Sequence, residues 1–203
     1  MTADARAPHS RNAVTCEDRQ DTSKPFAAIL KAASQRAHLR AERGFQPFLH
    51  DPSGELPFFL GAQLCAHEAL LAASPDAHPA AHRLVATLRV DCCIARIHVP
   101  PLGGQAARTL HPLAVDYLIF GGRRGNAVVR RLLERTPDAA IPLHFAENAA
   151  YDAVWARVIA DLNAIPQDTA LARRLIADVD AGFHLFDLAI AASADLISAR
   201  TRL

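Results

Sequence analysis

No excess of either charge marks this chain: 22 Lys and Arg stand against 21 Asp and Glu, a net charge of +1 with histidine neutral. A global field that would draw nucleic acid or an acidic partner is therefore missing. Four cysteines, Cys16, Cys65, Cys92 and Cys93, show no metal-type spacing. A bridge between the adjacent pair would need a strained ring, so the expectation is buried free thiols in a reducing compartment. The stretch MTADARAPHSRNAVTCEDRQDTSK lacks the apolar region of a secretory signal. No later run reads as long enough for a membrane span, and a cytoplasmic location is expected. Strand-forming sequence is scarce too: IARIHV is the one β-branched run of note, and it borders Pro100 and Pro101. Neither a glycine-rich dinucleotide fingerprint nor a nucleophile elbow is present, so flavin, nicotinamide and serine-hydrolase chemistry have no anchor.

What is present is helical periodicity over most of 203 residues, 51% of them apolar and 21% charged. That suits one all-α domain with a real core. Residues 1–24 are polar and aperiodic and read as a disordered tail, with the domain at 25–203. From there DTSKPFAAILKAASQRAHLRAERGF offers Thr22 or Ser23 as N-cap, Pro25 in the first turn and Gly44 as the stop. Phe26, Ile29, Leu30, Ala33 and Ala37 form its apolar stripe. Further helices are expected over Leu56 to Ala73, Pro79 to about Ala95, Leu110 to Thr136, about Glu147 to Ile165, and Asp168 to near Arg202. Pro-containing breaks separate them.

Two segments carry candidate chemistry. On the first helix Lys31, His38 and Glu42 fall within about 40° of one another beside the core stripe, and Phe45 extends that line. Glu42, four residues after His38, is placed to accept a hydrogen bond from Nδ1–H. Such a bond would fix the tautomer and leave Nε2 free to ligate a metal. Lys31, two turns earlier, suits an anionic group of a bound ligand. In the second segment, YLIFGGRRGNAVVRR, Gly121, Gly122 and Gly125 interrupt a helix that Ala, Val and Leu otherwise support. Each glycine costs about 1 kcal/mol relative to alanine. They clear side chains from the backbone, either for a flat ligand or for a closely packed helix. His78 and His82 are four apart but lack acidic or cysteine partners, and read as surface histidines rather than a zinc site.

Taken together and in this order, these segments resemble the biliverdin-producing haem oxygenases, particularly the compact bacterial type. LKAASQRAHLRAER is similar to that family's first helix, with the proximal histidine and a glutamate four residues on. YLIFGGRRGNAVVRR is similar to its distal helix, usually Y-V-x-E-G-S-x-x-G. ALARRLIADVDAGFHLFDLA resembles the C-terminal helix, with Arg174, Ile176 and Phe183 at matching places, and HRLVATLRVDC resembles the middle helix leading to Asp91. The likeness covers most of residues 25–195.

The resemblance implies a haem oxygenase-like helical bundle with haem between the first helix and a glycine-kinked distal helix. It implies oxidative cleavage of haem to biliverdin, iron and carbon monoxide, with haem as substrate and oxygen-activating cofactor and O2 as co-substrate. His38 would be the iron ligand, with Glu42 orienting it. Gly121, Gly122 and Gly125 would form the distal pocket, and Lys31, Tyr117 and Arg124 would contact the ring or its propionates. The partner would be a ferredoxin or reductase acting on a monomer, with neither nucleic acid nor membrane involved. The chain departs from the pattern at three places. Gly122 replaces the serine after the first distal glycine, and Phe120 replaces the acidic residue before it. Trp155, Ala156 and Ile159 surround the expected propionate clamps, with Arg157 the nearest cation and Arg123 and Arg124 possible substitutes. The alternative implied by these departures is a non-catalytic haem carrier or sensor of the same fold.

Overall fold

The computed structural model describes residues 24–99, 102, 108–137, 139–146 and 149–200, with 149 and 196–200 described in backbone only. Among the described residues there are seven α-helices and one 3₁₀ turn, and no strand. The helices are α1 (Phe26–Gly44), α2 (Gln46–His50), α3 (Leu56–Ala73), α4 (Pro79–Ile94), α5 (Pro112–Glu134), α6 (Ala149–Asn163) and α7 (Ala170–Arg200), with the turn at Leu143–Phe145. The expected helices are all found, within a few residues at each end. The run IARIHV is a helix end and turn, with Arg96 at φ 52°. Thr22 and Ser23, proposed caps of α1, lie outside the described residues, as does Cys16. The short α2 and the 3₁₀ turn escape periodicity because neither is long enough to show a repeat.

α3 and α7 pack on each other at the centre. α1 and α5 lie against α7, α4 lies against α3, and α6 closes on α5 and α1. This placement explains a departure from expectation. α3 is 18 residues long with a mean hydropathy of 1.3, which by length and composition alone meets the requirement of a membrane span. Most of it is buried in the core, and a helix surrounded by protein on several sides is apolar nearly all round. Phe45, Phe48, Phe58 and Phe59 gather where α1, α2 and α3 meet, Phe48 stacking on Phe59 at 4.3 Å. Phe45 thus belongs to the core and not to the His38 line.

Two helices begin with the dipeptide His-Pro, and both starts are built alike. Pro79 and Pro112 have no N–H to satisfy at the first helical position. The Nδ1 of His78 accepts the Ala80 N–H at 3.1 Å, and that of His111 accepts the Leu113 N–H at 3.2 Å. Burial, reinforced by the Arg174 charge, lowers the His111 pKa and keeps that lone pair available. The backbone N–H of each capping histidine donates to a buried aspartate on another helix, His78 to Asp116 and His111 to Asp178, both at 2.9 Å. His78 is therefore committed to capping, in keeping with its reading as a non-zinc residue.

A third buried aspartate repeats the device. Asp91 on α4 accepts the N–H groups of Leu143 and His144, at 2.9 and 2.7 Å, and so holds the 3₁₀ turn. Asp178 is completely buried and also pairs with Arg108 and, at 3.4 Å, with Arg174. A buried carboxylate persists only where its oxygens are satisfied. Each of these three is satisfied by fastening a connection between helices.

Candidate functional site

α1 presents its predicted polar flank as expected, with one change in the core stripe. Phe26, Leu30, Ser34, Ala37 and Ala41 are the buried positions, whereas Ala33 is exposed and Ile29 half-buried. The stripe is rotated because Ser34 can enter the core with its hydroxyl satisfied: Oγ donates to the Leu30 carbonyl at 2.9 Å. One turn later His38 stands at the edge of the packed surface, its side chain 51% exposed. Its Nδ1 lies 3.5 Å from Glu42 Oε1. That is longer than the hydrogen bond the spacing suggested. The ring of Phe183, from α7, meets the imidazole edge-on with centroids 5.7 Å apart. His38 therefore has one nitrogen beside a carboxylate, one apolar wall and the rest of its ring accessible. Lys31 and Glu42 are exposed on the same flank.

α5 runs unbroken through all three glycines. Tyr117 is the link to α1: its hydroxyl hydrogen-bonds the Ser34 side chain. Burial raises the Tyr117 pKa and the Ser34 bond opposes that rise, so the phenol stays protonated. The ring also packs on Trp155 of α6, centroids 5.6 Å apart. Tyr117 is thus engaged inside the protein, with its hydroxyl committed, and ties α5 to α1 and α6.

The three glycines are not equivalent. A Cβ on Gly121 would sit 3.4 Å from two atoms of the Trp155 indole, in ordinary contact, so that glycine faces a protein ring. At Gly122 and Gly125 nothing lies within 4 Å of where a Cβ would stand. Neighbouring residues sort themselves likewise. Phe120 points into the core against His78 and Tyr151, and is buried. Arg123 stacks 4.5 Å over the Tyr151 ring and donates to the carbonyls of His144 and Ala146, at 3.1 and 3.0 Å. Burial lowers its pKa, and its work is to hold the 3₁₀ turn. Of the two adjacent arginines, only Arg124 is exposed and makes no ion pair among the described residues. Arg157 is engaged with Asp161 on its own helix at 2.9 Å.

Sequence reading missed three features here. Ser34 as the partner of Tyr117 was hidden because a serine in an apolar stripe looks like an imperfection. The indole of Trp155 over Gly121 depends on the α5–α6 crossing, which no local pattern encodes. The third lies away from the cleft: His67 on α3 and His144 on the 3₁₀ turn are both buried, with rings 6.3 Å apart. The one available signal for His67 was its place inside the apolar run LCAHEALL. The expectation for cysteines holds at Cys65 and Cys92, which are buried, and fails at Cys93, which is exposed because it falls on the outer face of α4. Burial raises the two inner thiols to about 11 and about 12, so neither is a reactive thiolate.

No protein-family model, curated protein or solved structure matches this chain.

Proposed function

We propose that haem binds between α1 and α5 and that the protein is a haem oxygenase, opening the macrocycle to biliverdin with release of iron and carbon monoxide. The observation that carries this reading is the open space at Gly122 and Gly125. Two glycines inside a helix each cost about 1 kcal/mol against alanine. Here no neighbouring atom demands their small size, and both are exposed, so the α5 backbone at this face is open to a flat ligand.

The residues present fit the proximal side of such a ligand. His38 offers an accessible imidazole nitrogen, and Glu42 stands beside the other one, where it would hold the ligating tautomer. Phe183 gives the ring an apolar neighbour. Lys31 on α1 and Arg124 on α5 are exposed cations, suited to propionate carboxylates. Bound haem supplies the iron centre at which O2 is activated, as well as the ring that is cleaved. The chain's own contribution is to bind and orient the ring, to keep the α5 backbone close to its distal face, and to admit an external electron donor, a ferredoxin or reductase.

A second reading, a haem carrier or sensor without turnover, is favoured by Phe120 and Gly122. Phe120 faces the core and Gly122 carries no hydroxyl, so neither offers a polar side chain to the distal face. Hemin added to the purified protein distinguishes the two. A Soret band that converts to biliverdin absorption with ascorbate or a ferredoxin system under air supports the enzyme. A band that stays unchanged supports the carrier, and no band refutes both. His38→Ala is expected to abolish the imidazole-ligated spectrum; an unaltered spectrum would show that another residue holds the iron.

A further inference from the structure

His67 and His144 have no part in the cleft, yet they form the least explained polar cluster of the core. Their ring centroids are 6.3 Å apart with planes at 45°. Phe186 meets His67 edge-on at 5.6 Å, and Phe145 meets His144 edge-on at 5.4 Å. The Nδ1 atom of each imidazole is buried without a hydrogen-bond partner. An orphaned buried nitrogen is unusual in a folded protein, and here two neighbouring rings each carry one.

The chemistry of that partner follows from the donors. Burial pushes His67 down to about 4 and His144 down to about 3, so both rings are neutral at ordinary pH, the form that ligates a metal. No group of three or more His, Cys, Asp or Glu converges among the described residues, which leaves tetrahedral and octahedral ions without enough ligands. A two-coordinate ion needs only a pair. With metal–nitrogen bonds of about 2.0 Å and about 1.1 Å from each ring centre to its nitrogen, an in-line pair has centroids about 6.2 Å apart.

Charge favours a monovalent ion. The buried carboxylate of Asp91 accepts the backbone N–H of His144 at 2.7 Å, an anion fastened to the turn that carries that ring. Arg123, bonded to the His144 carbonyl, opposes any larger positive charge. Copper is among the metals that imidazole suits, and its cuprous form carries a single charge. We propose that His67 and His144 form a two-coordinate site for a soft monovalent cation, cuprous copper, which ties the 3₁₀ turn to α3.

The test uses the full chain, anaerobic and reduced, with Cu(I) partitioned against a chromophoric cuprous chelator and its donors read by X-ray absorption. One equivalent with two nitrogen donors is expected. Affinity should drop by about tenfold or more in each of His67→Phe and His144→Phe. The phenyl ring keeps volume and apolar character, which favours retention of the fold. Sulfur donors would assign the copper to the thiols and overturn the proposal. So would unchanged affinity in both variants, or a wild-type protein that takes up no copper and holds only water between the rings. Should either variant fail to fold, the donor set of the wild-type protein decides the matter.

Discussion

Glycines on two helices of this fold serve opposite ends. Gly182 of α7 sits where the helix presses on Leu118 of α5 and Leu70 of α3. A Cβ there would run into the Leu118 side chain and come within 3.1 Å of Leu70 Cδ2. Packing accounts for it fully. Gly122 and Gly125 of α5 face open space, and packing does not account for them at all. The same division separates the polar residues. Asp91, Asp116 and Asp178 are buried and fastened to backbone N–H groups, whereas His38, Lys31 and Arg124 are exposed, His38 with Glu42 beside its Nδ1. In the closed, packed region the three buried aspartates have their oxygens engaged and the glycine is explained by its neighbours, whereas the region proposed for haem has glycines that no neighbour explains.

The largest way to break the closed region is at its deepest charge. Asp178→Ala removes the partner of Arg108 and Arg174 and orphans the His111 N–H at the start of α5. Removing one member of a buried pair costs about 3–5 kcal/mol, and the half-exposed side of Arg108 places the effect at the lower end. Urea denaturation followed by circular dichroism measures it. A loss below about 1 kcal/mol would mean that the latch is ornamental and the comparison drawn in the wrong place.

Acid is the next test, on metal-free protein. His67 and His144 titrate near 4 and near 3 in the fold, against an ordinary 6.5. Above pH 6.5 neither the folded nor the unfolded chain binds these protons, and stability is complete. As pH falls below 6.5 the unfolded chain takes up protons that the fold refuses, so stability declines toward about pH 4. For His67 the loss amounts to roughly 3 kcal/mol by the bottom of that window. Urea midpoints measured from pH 7 to about 4.5 should slope accordingly, and His67→Phe should flatten the slope. Equal slopes in variant and parent would place the acid-sensitive group elsewhere.

A paired substitution addresses the glycines directly. Gly182→Ala is expected to destabilise by about 1–3 kcal/mol through overpacking. Gly125→Ala should stabilise the ligand-free protein by up to about 1 kcal/mol through helix propensity, while weakening hemin binding. Opposite signs on the two helices would sharpen the contrast. Destabilisation by Gly125→Ala would end it, since that glycine would then have a packing role.

How far this division was legible in the sequence differs between the two regions. Helix positions were legible because long amphipathic repeats and proline breaks encode them locally. The polar flank of α1 and the glycines of α5 were legible because each breaks a local pattern, the first with charges at a four-residue spacing and the second with poor helix formers. The clamps were not. Asp116 and His78 are 38 residues apart and Asp178 and His111 are 67 apart, and nothing in either neighbourhood marks the partner. Ser34 and Trp155 were invisible for the same reason, since their meaning lies in a helix crossing.

That crossing gives the smallest effect and the finest test of the cleft. Tyr117 hydrogen-bonds Ser34, which also bonds the Leu30 carbonyl, so one hydroxyl relay joins α5 to α1. Its ring packs on the Trp155 indole, which lies beside Gly121. Tyr117→Phe keeps the ring and removes the bond. Ser34 stays satisfied through Leu30, so the expected loss is only about 0.5–1.5 kcal/mol. If the relay sets the separation of α1 and α5, hemin affinity should fall in Tyr117→Phe by more than the stability does in proportion, with the Soret position unchanged because His38 is untouched. A variant that loses stability but binds hemin as the parent does would assign Tyr117 to the closed region. The boundary between the two regions would then pass one helical turn further along α5, between Gly121 and Gly125.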